Sequence, residues 1–192
     1  TNDLTKNEGQ IDKMDANTNL VMFTIGGNDV NFSEIVKQCF ALGFRDPGTC
    51  KKKVEDADAN LDKVKTNTTA ILQKIDDKLA DDAQVILVGY PRLASNQDYV
   101  LDNNGVKYDA GKGVRALSDS SKDVQSSLTR DWNASHSTLK VTYVDGIINA
   151  FDGHEPNPKT NKRNPHRWIN EFLETEGEMG KDGTTKSKPS KQ

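Results

Sequence analysis

Three short, largely apolar runs that lie far apart along the chain constrain the fold most strongly. They are residues 19–25 (NLVMFTI), 85–89 (VILVG) and 139–144 (LKVTYV). Continuous apolar runs of this length, bounded by Gly, Pro or Asn, are typical of strands that are buried on both faces of a sheet. The sequence therefore predicts a core sheet built from strands that are distant in sequence.

The segments between these runs have the spacing of amphipathic helices. Short stripes of apolar residues at helical spacing predict one helix over residues 33–42 and another from Val114 to Trp132. Because strands joined by helical crossovers pair in parallel, the predicted fold class is α/β, a three-layer α/β/α sandwich with a parallel sheet. The longest stripe predicts a single helix that runs to about Ala80, with apolar positions at Val54, Ala57, Leu61, Val64, Thr68, Ile71, Leu72, Ile75 and Leu79.

The length of 192 residues fits one ordinary domain. We expect a single domain over residues 1–175, a loop-like segment at 92–112, and a polar tail or loop over 176–192. The net charge of −3 gives no electrostatic reason to expect a nucleic-acid partner. No apolar run approaches the roughly 20 residues that a transmembrane helix needs.

Cys39 and Cys50 are the only two cysteines, and Gly43, Pro47 and Gly48 lie between them. A pair that closes a short loop is typical of a disulfide formed in an oxidising compartment. The alternative is two free buried thiols. We expect the disulfide and no zinc site, because neither a second cysteine pair nor a histidine is near.

The candidate functional residues follow the first predicted strand, in the sequence Ile25-Gly26-Gly27-Asn28-Asp29. Two glycines let the backbone turn sharply and let a ligand approach closely, so Gly27 is a candidate substrate-binding position. The side-chain amide of Asn28 is a neutral N–H donor that suits a developing oxyanion. In the alternative interpretation, Asn28 and Asp29 simply cap the next helix near Ser33.

Four segments resemble the SGNH (GDSL-type) hydrolase family, and in particular the secreted esterases and lipases of actinobacteria. The first is TIGGNDVNF (residues 24–32) followed by the cysteine pair. Gly89-Tyr90-Pro91, then Phe151-x-Gly153-His154-Glu155, and finally Trp168-Ile169-Asn170 continue the resemblance in order and spacing. Together they span roughly residues 19–172.

The resemblance implies that Asn28 is the oxyanion donor, with Gly26 and Asp29 as its structural neighbours. It also implies a serine acyl-enzyme mechanism on an ester substrate, small or lipid, without metal or organic cofactor, in a secreted protein. Family members carry their nucleophile in a Gly-Asp-Ser block and their histidine base in a His-Pro block, and neither block occurs in this sequence. We expect the chain to begin after the nucleophile and to stop before the base.

His154 is the best placed of the three histidines, because it follows the third strand beside Asp152 and Glu155. We predict a substrate-binding or loop-ordering role for it, and leave open a role as local base or a plain surface position. The overall prediction is an incomplete SGNH-type carboxylic ester hydrolase. The alternatives are a non-catalytic SGNH-like binding or interaction module, and a fragment whose missing ends complete the site.

Overall fold

The computed structural model describes residues 10–41, 43–136, 138–159 and 164–169, together with the backbone of 177–179 and 185–187. In chain order the strands and helices are β1 (Leu20–Phe23), α1 (Phe32–Phe40), α2 (Pro47–Ala59), α3 (Leu61–Asp76), β2 (Gln84–Val88), β3 (Val100–Asn103), β4 (Val106–Asp109), α4 (Ala110–Ser135), β5 (Val141–Val144), α5 (Ile147–Ala150), β6 (Gly177–Met179) and β7 (Thr185–Ser187).

The chain divides into two compact units. The first comprises Thr1–Phe32, Glu55–Tyr90 and Leu117–Ile148. The second comprises the remaining segments, Ser33–Val54, Pro91–Ala116 and Asn149–Gln192. The single domain expected over residues 1–175 stays a prediction.

The sheet of the first unit has the order β1-β2-β5, and both strand pairs are parallel. Val21, Val85 and Val141 lie side by side in this register. β1 and β5 fall within their predicted apolar runs, and β2 begins one residue before its run, so the predicted α/β class and the parallel sheet are confirmed.

Helices α3 and α4 pack against the same face of this sheet. Since alternate residues of a strand point to opposite faces, Val21, Val85, Leu87 and Val141 share one side. They form a buried cluster with Ile71, Leu72 and Ile75 of α3 and with Leu128 and Trp132 of α4. Leu20 and Met22 lie on the opposite face, where they are 54% and 67% exposed, so the prediction of a strand buried on both faces is wrong for β1.

The predicted single helix ending near Ala80 is in fact two helices, α2 and α3, that meet at Asn60. The side-chain amide of Asn60 donates to the backbone carbonyl of Asp56 at 2.6 Å. Such a local bond competes with the helical ladder and interrupts it without disturbing the apolar stripe. The periodicity therefore predicted the buried face and missed the break.

The expectation of a loop over residues 92–112 is wrong for part of this segment. Strands β3 and β4 form an antiparallel hairpin there, and α4 already begins at Ala110. Asn104 and Gly105 make its turn with φ values of +51° and +83°. Asn-Gly with positive φ at both positions is the signature of a two-residue hairpin turn.

Part of the segment expected to be a polar tail or loop, residues 176–192, also has regular structure. Strands β6 and β7 pair antiparallel within it. Asn170 and residues 171–176 of the predicted C-terminal segments lie outside the described residues.

The second unit contains the disulfide between Cys39 and Cys50, which confirms the predicted pairing. Tyr99 connects the hairpin segment to this bridge, because its hydroxyl donates to the carbonyl of Cys39 at 2.9 Å. Its ring also stacks on Phe40 with centroids 5.6 Å apart. Within the part of the chain that the structure describes, no helix is long and apolar enough to cross a membrane.

We expect Leu87→Ala to lower the free energy of unfolding by about 2–5 kcal/mol, because Leu87 is fully buried in the central strand and its loss leaves a cavity. Met22→Ala, an exposed position on the neighbouring strand, should change it by no more than about 0.5 kcal/mol. Urea denaturation of both variants is the measurement, and equal losses would contradict the assigned faces.

Replacing both cysteines by alanine should lower the free energy of unfolding by about 3 kcal/mol, because an 11-residue separation closes a short loop. Reduction of the unmodified protein with dithiothreitol should give a similar loss in the same denaturation assay. A loss below about 1 kcal/mol in both experiments would show that the bridge contributes little to stability.

Candidate functional site

The chain leaves β1 through a turn that only glycine can make at its centre. Gly26 is buried and has a φ of +112°, a backbone conformation that residues with a Cβ rarely adopt. A Cβ at this position would lie 2.8 Å from Cγ1 of Val64 on α3. Local conformation and close packing therefore impose the same choice of residue.

Helices α3 and α4 anchor the residues on either side of this turn. Gln125 of α4, which is 2% exposed, donates from Nε2 to the carbonyl of Ile25 at 2.9 Å. Asn67 of α3 donates from Nδ2 to the carboxylate of Asp29 at 2.9 Å. Backbone bonds from Asp29 and Phe32 to the carbonyls of Gly26 and Gly27, each 3.1 Å, close the loop.

Asn28 is the exposed residue between these anchored neighbours. Its carbonyl accepts from the backbone of Asn31 at 3.2 Å, but its side-chain amide has no hydrogen-bond partner among the described residues. The carboxylate of Asp29 is bonded to Asn67. Neither side chain caps α1 in the described structure, so the helix-cap interpretation fails. The role of Asn28 as oxyanion donor stays a prediction.

Two aromatic residues flank the turn, and the sequence predicted no role in the site for either of them. A Cβ placed on Gly27 would lie 3.7 Å from Oη of Tyr90 and 4.0 Å from Cβ of Phe32. Tyr90 is 41% exposed and Phe32 is 37% exposed, so both present surface to solvent beside the glycine. The position of Tyr90, two residues beyond the end of β2, was a usable signal, because parallel strands end at the same edge of a sheet.

Tyr143 of β5 supplies a second, more deeply buried phenol in the first unit. Burial raises the pKa of Tyr143 to about 12, and the negative charges of Asp145 and Asp123 add to this effect. The phenol therefore remains protonated near neutral pH and is a hydrogen-bond donor there rather than a base.

His154 lies in the second unit and contacts the residues that follow it in sequence. Its ring stacks on the indole of Trp168 with centroids 3.8 Å apart and planes within 9°. The backbone N–H of Trp168 donates to the carbonyl of His154 at 2.9 Å, and Nδ1 of His154 is hydrogen-bonded to the carbonyl of His166. Because a carbonyl only accepts, Nδ1 carries a proton and donates it in this hydrogen bond.

The predicted site residues thus fall into two groups. Gly27 and Asn28 are consecutive in the first unit, and His154 belongs to the second. Their substrate-binding and catalytic roles stay predictions. Within the described ranges, no group of three His, Cys, Asp or Glu side chains is arranged to hold a metal ion.

Comparison with known proteins gives relatives among the lipases of Streptomyces. No protein-family model matches the chain. Lipase 1 of Streptomyces coelicolor is 30% identical over 86 residues, which cover 44% of this chain and 31% of that protein.

Two solved structures share the fold. The extracellular lipase of Streptomyces rimosus superposes with a TM-score of 0.63 at 22% identity, over 83% of this chain and 60% of the lipase. Phospholipase A1 of Streptomyces albidoflavus gives a TM-score of 0.61 at 25% identity, over 79% of this chain and 58% of that enzyme.

The chain has the α/β fold of these SGNH-type lipases, so the resemblance to the actinobacterial subgroup is confirmed. It spans 58–60% of the length of the solved neighbours and 31% of the length of Lipase 1.

A double-mutant cycle tests the constraint at the turn. Gly26→Ala should destabilise the protein by more than Gly43→Ala, because both glycines have positive φ but a Cβ at Gly43 has open space around it. Val64→Ala removes the atom that the new Cβ would meet, so the double variant Gly26→Ala/Val64→Ala should be less destabilised than the sum of the two single variants.

Chemical denaturation of these variants and of the unmodified protein provides the measurement. Strict additivity, or equal losses for Gly26→Ala and Gly43→Ala, would contradict close packing of Val64 on the turn.

Proposed function

We propose that this chain is part of an SGNH-type carboxylic ester hydrolase, in which Asn28 donates a hydrogen bond to the oxyanion of the tetrahedral intermediate. One observation carries the proposal. Asn28 is exposed and its side-chain amide has no partner among the described residues, although Ile25 and Asp29 on either side of it are hydrogen-bonded to α4 and α3.

This arrangement suits oxyanion stabilisation for a physical reason. A donor acts best when it is already held where negative charge develops, so that no reorganisation is needed during the reaction. On one side of Asn28, Gln125 holds the backbone carbonyl of Ile25, and on the other, Asn67 holds the side-chain carboxylate of Asp29. An amide is also neutral, so it stays a donor at every physiological pH.

Gly27 and the adjacent aromatic residues support the assignment of a substrate-binding surface. The absence of a side chain at Gly27 lets an ester approach the backbone closely. The exposed rings of Tyr90 and Phe32 supply apolar area for the acyl or alcohol group. For His154 we propose a role in substrate binding through loop ordering, because its ring stacks on Trp168 and fixes the position of that side chain.

The comparisons support the class of substrate and the location. The names of the relatives specify a lipase and a phospholipase A1, which favours a small or lipid ester as substrate. One structural neighbour is an extracellular lipase, and the Cys39–Cys50 disulfide is typical of oxidising compartments. We therefore propose that the protein is secreted.

The nucleophilic step is not assigned to a residue of this chain, because the sequence contains neither a Gly-Asp-Ser nor a His-Pro block. Oxyanion stabilisation still acts without a nucleophile. Serine hydrolases that have lost a member of the catalytic triad retain about 10³- to 10⁴-fold catalysis over water, through the oxyanion hole and substrate binding alone. A residual activity of this kind is what the chain itself should show.

The test measures hydrolysis of 4-nitrophenyl acetate by the 192-residue chain. We expect a slow rate above the buffer rate, and a loss of about 10²-fold or complete loss of that excess in Asn28→Ala, since one oxyanion donor is typically worth 10²–10³ in kcat. Asn28→Asp should lose the excess as well, because it keeps the shape and replaces the donor by a negative charge. The control is Asn17→Ala, another exposed asparagine of the first unit, which should retain the full rate.

Equal rates for the unmodified chain and Asn28→Ala would contradict the proposal and favour the non-catalytic binding module. Covalent labelling of the chain by a serine-directed phosphonate would show that a serine outside a Gly-Asp-Ser block acts as a nucleophile.

A further inference from the structure

The second unit contains a polar cavity to which the proposed ester hydrolysis assigns no role. Its volume is about 480 Å³, within the range of small-molecule binding pockets. The walls come from one segment at residues 95–97 and from a second that contributes residues 152–157 and 164–165. The side chains that matter most for its chemistry are Ser95, Asn96, Gln97, Asp152, Glu155 and Asn164.

A buried ion pair fixes the wall of this cavity. Glu155 is 1% exposed, and its Oε1 accepts from Nη1 of Arg115 at 3.1 Å while its Oε2 accepts from the backbone of Gly153 at 2.8 Å. Arg115 also donates to the carbonyl of Ala94 at 2.8 Å. Since a buried charge must be paired and hydrogen-bonded, these contacts hold the two segments in one arrangement.

Further bonds join the same two segments. The backbone N–H of Ser95 donates to the carbonyl of Pro156 at 2.9 Å. The side-chain amide of Asn164 donates to the carbonyls of Gly153 and Glu155 at 2.9 and 2.8 Å. The cavity is therefore preformed by the fold rather than by loosely placed side chains.

The hydroxyl of Ser95 is the unexplained group in this cavity. Ser95 is 9% exposed, and its Oγ is buried without a hydrogen-bond partner in the described structure. Buried hydroxyls are almost always paired, so this one requires a partner that enters the cavity, which is either water or a ligand. The exposed side chains of Asn96 and Gln97 beside it also lack hydrogen-bond partners among the described residues.

The charges of the lining exclude ions as the best ligands. Two carboxylates, Asp152 and Glu155, face one guanidinium, so an anion is repelled. A metal cation is disfavoured because Arg115 lies 3.1 Å from one carboxylate and 4.0 Å from the other. Within the described residues, no group of three suitable ligands is present either.

With ions excluded, the ligand that fits this lining best is a neutral molecule rich in hydroxyl groups. Apart from Gly153 and Pro165, every lining residue carries a polar side chain, so an acyl chain would gain little by entering. A hydroxyl both donates and accepts, which matches a serine hydroxyl, two amides and carboxylate oxygens in one cavity. From this match we infer that the cavity binds a neutral sugar ring, free or at the end of a glycan.

The test measures binding of neutral sugars by isothermal titration calorimetry and saturation-transfer NMR. The probes are glucose, mannose, galactose and N-acetylglucosamine, each as the free sugar and within a short oligosaccharide. We expect at least one of them to bind, with Kd in the millimolar range or tighter. Glucuronate should bind at least 10-fold more weakly than glucose, because its carboxylate meets Asp152 and Glu155.

Variants locate the site without depending on esterase activity, since no ester is present in the assay. Ser95→Ala and Gln97→Ala should each weaken sugar binding by at least 10-fold and leave thermal unfolding unchanged. Ser126→Ala, an exposed serine of the first unit, should bind as the unmodified protein does. Tighter binding of an oligosaccharide than of its free sugar would identify a glycan as the source of the ring.

Three results would overturn the proposal. They are no binding of any neutral sugar, unchanged binding in both Ser95→Ala and Gln97→Ala, or stronger binding of glucuronate, calcium or octanoate than of every neutral sugar tested.

Discussion

Close packing of α3 on the bare backbone of Gly26 is the contact on which the proposed site depends. Val64 occupies the space where any other residue would place its Cβ, and the positive φ of the glycine turns the chain away from β1 at that point. Gln125 then holds the carbonyl of Ile25. These contacts exist only because α3 and α4 bury their apolar stripes against one face of the sheet. The position of Asn28 is thus a consequence of core packing.

Much of the fold could be predicted from the sequence, since each strand of the core sheet needs a concentrated apolar run and each helix needs a periodic one. The break at Asn60 could not, because the apolar stripe continues through it and the interruption comes from a side-chain bond to Asp56. The hairpin around Asn104 and Gly105 was missed for another reason. Its strands are mostly exposed, so they lack the apolar pattern, and only the Asn-Gly pair indicates the turn.

The candidate site was predictable in part. The paired glycines and Asn28 stand out because they follow a strand whose carboxyl end is the expected ligand-binding edge. Tyr90 shares that edge, and its position two residues beyond β2 is the signal by which it could have been selected. The cavity around Ser95 gives no sequence signal at all. Residues 95–97 of its lining are distant in sequence from Glu155 and Asn164, and only the folded second unit brings them together.

The central claim, that the amide of Asn28 is held ready for a negatively charged oxygen, can be tested without any chemical turnover. Titration of the ¹⁵N-labelled chain with methylphosphonate, a tetrahedral oxyanion, should shift the side-chain N–H resonances of Asn28 downfield in a saturable manner. The side-chain resonances of Asn17 should not move. If the Asn28 amide remains unshifted at saturating methylphosphonate, or moves no more than that of Asn17, the claim is contradicted.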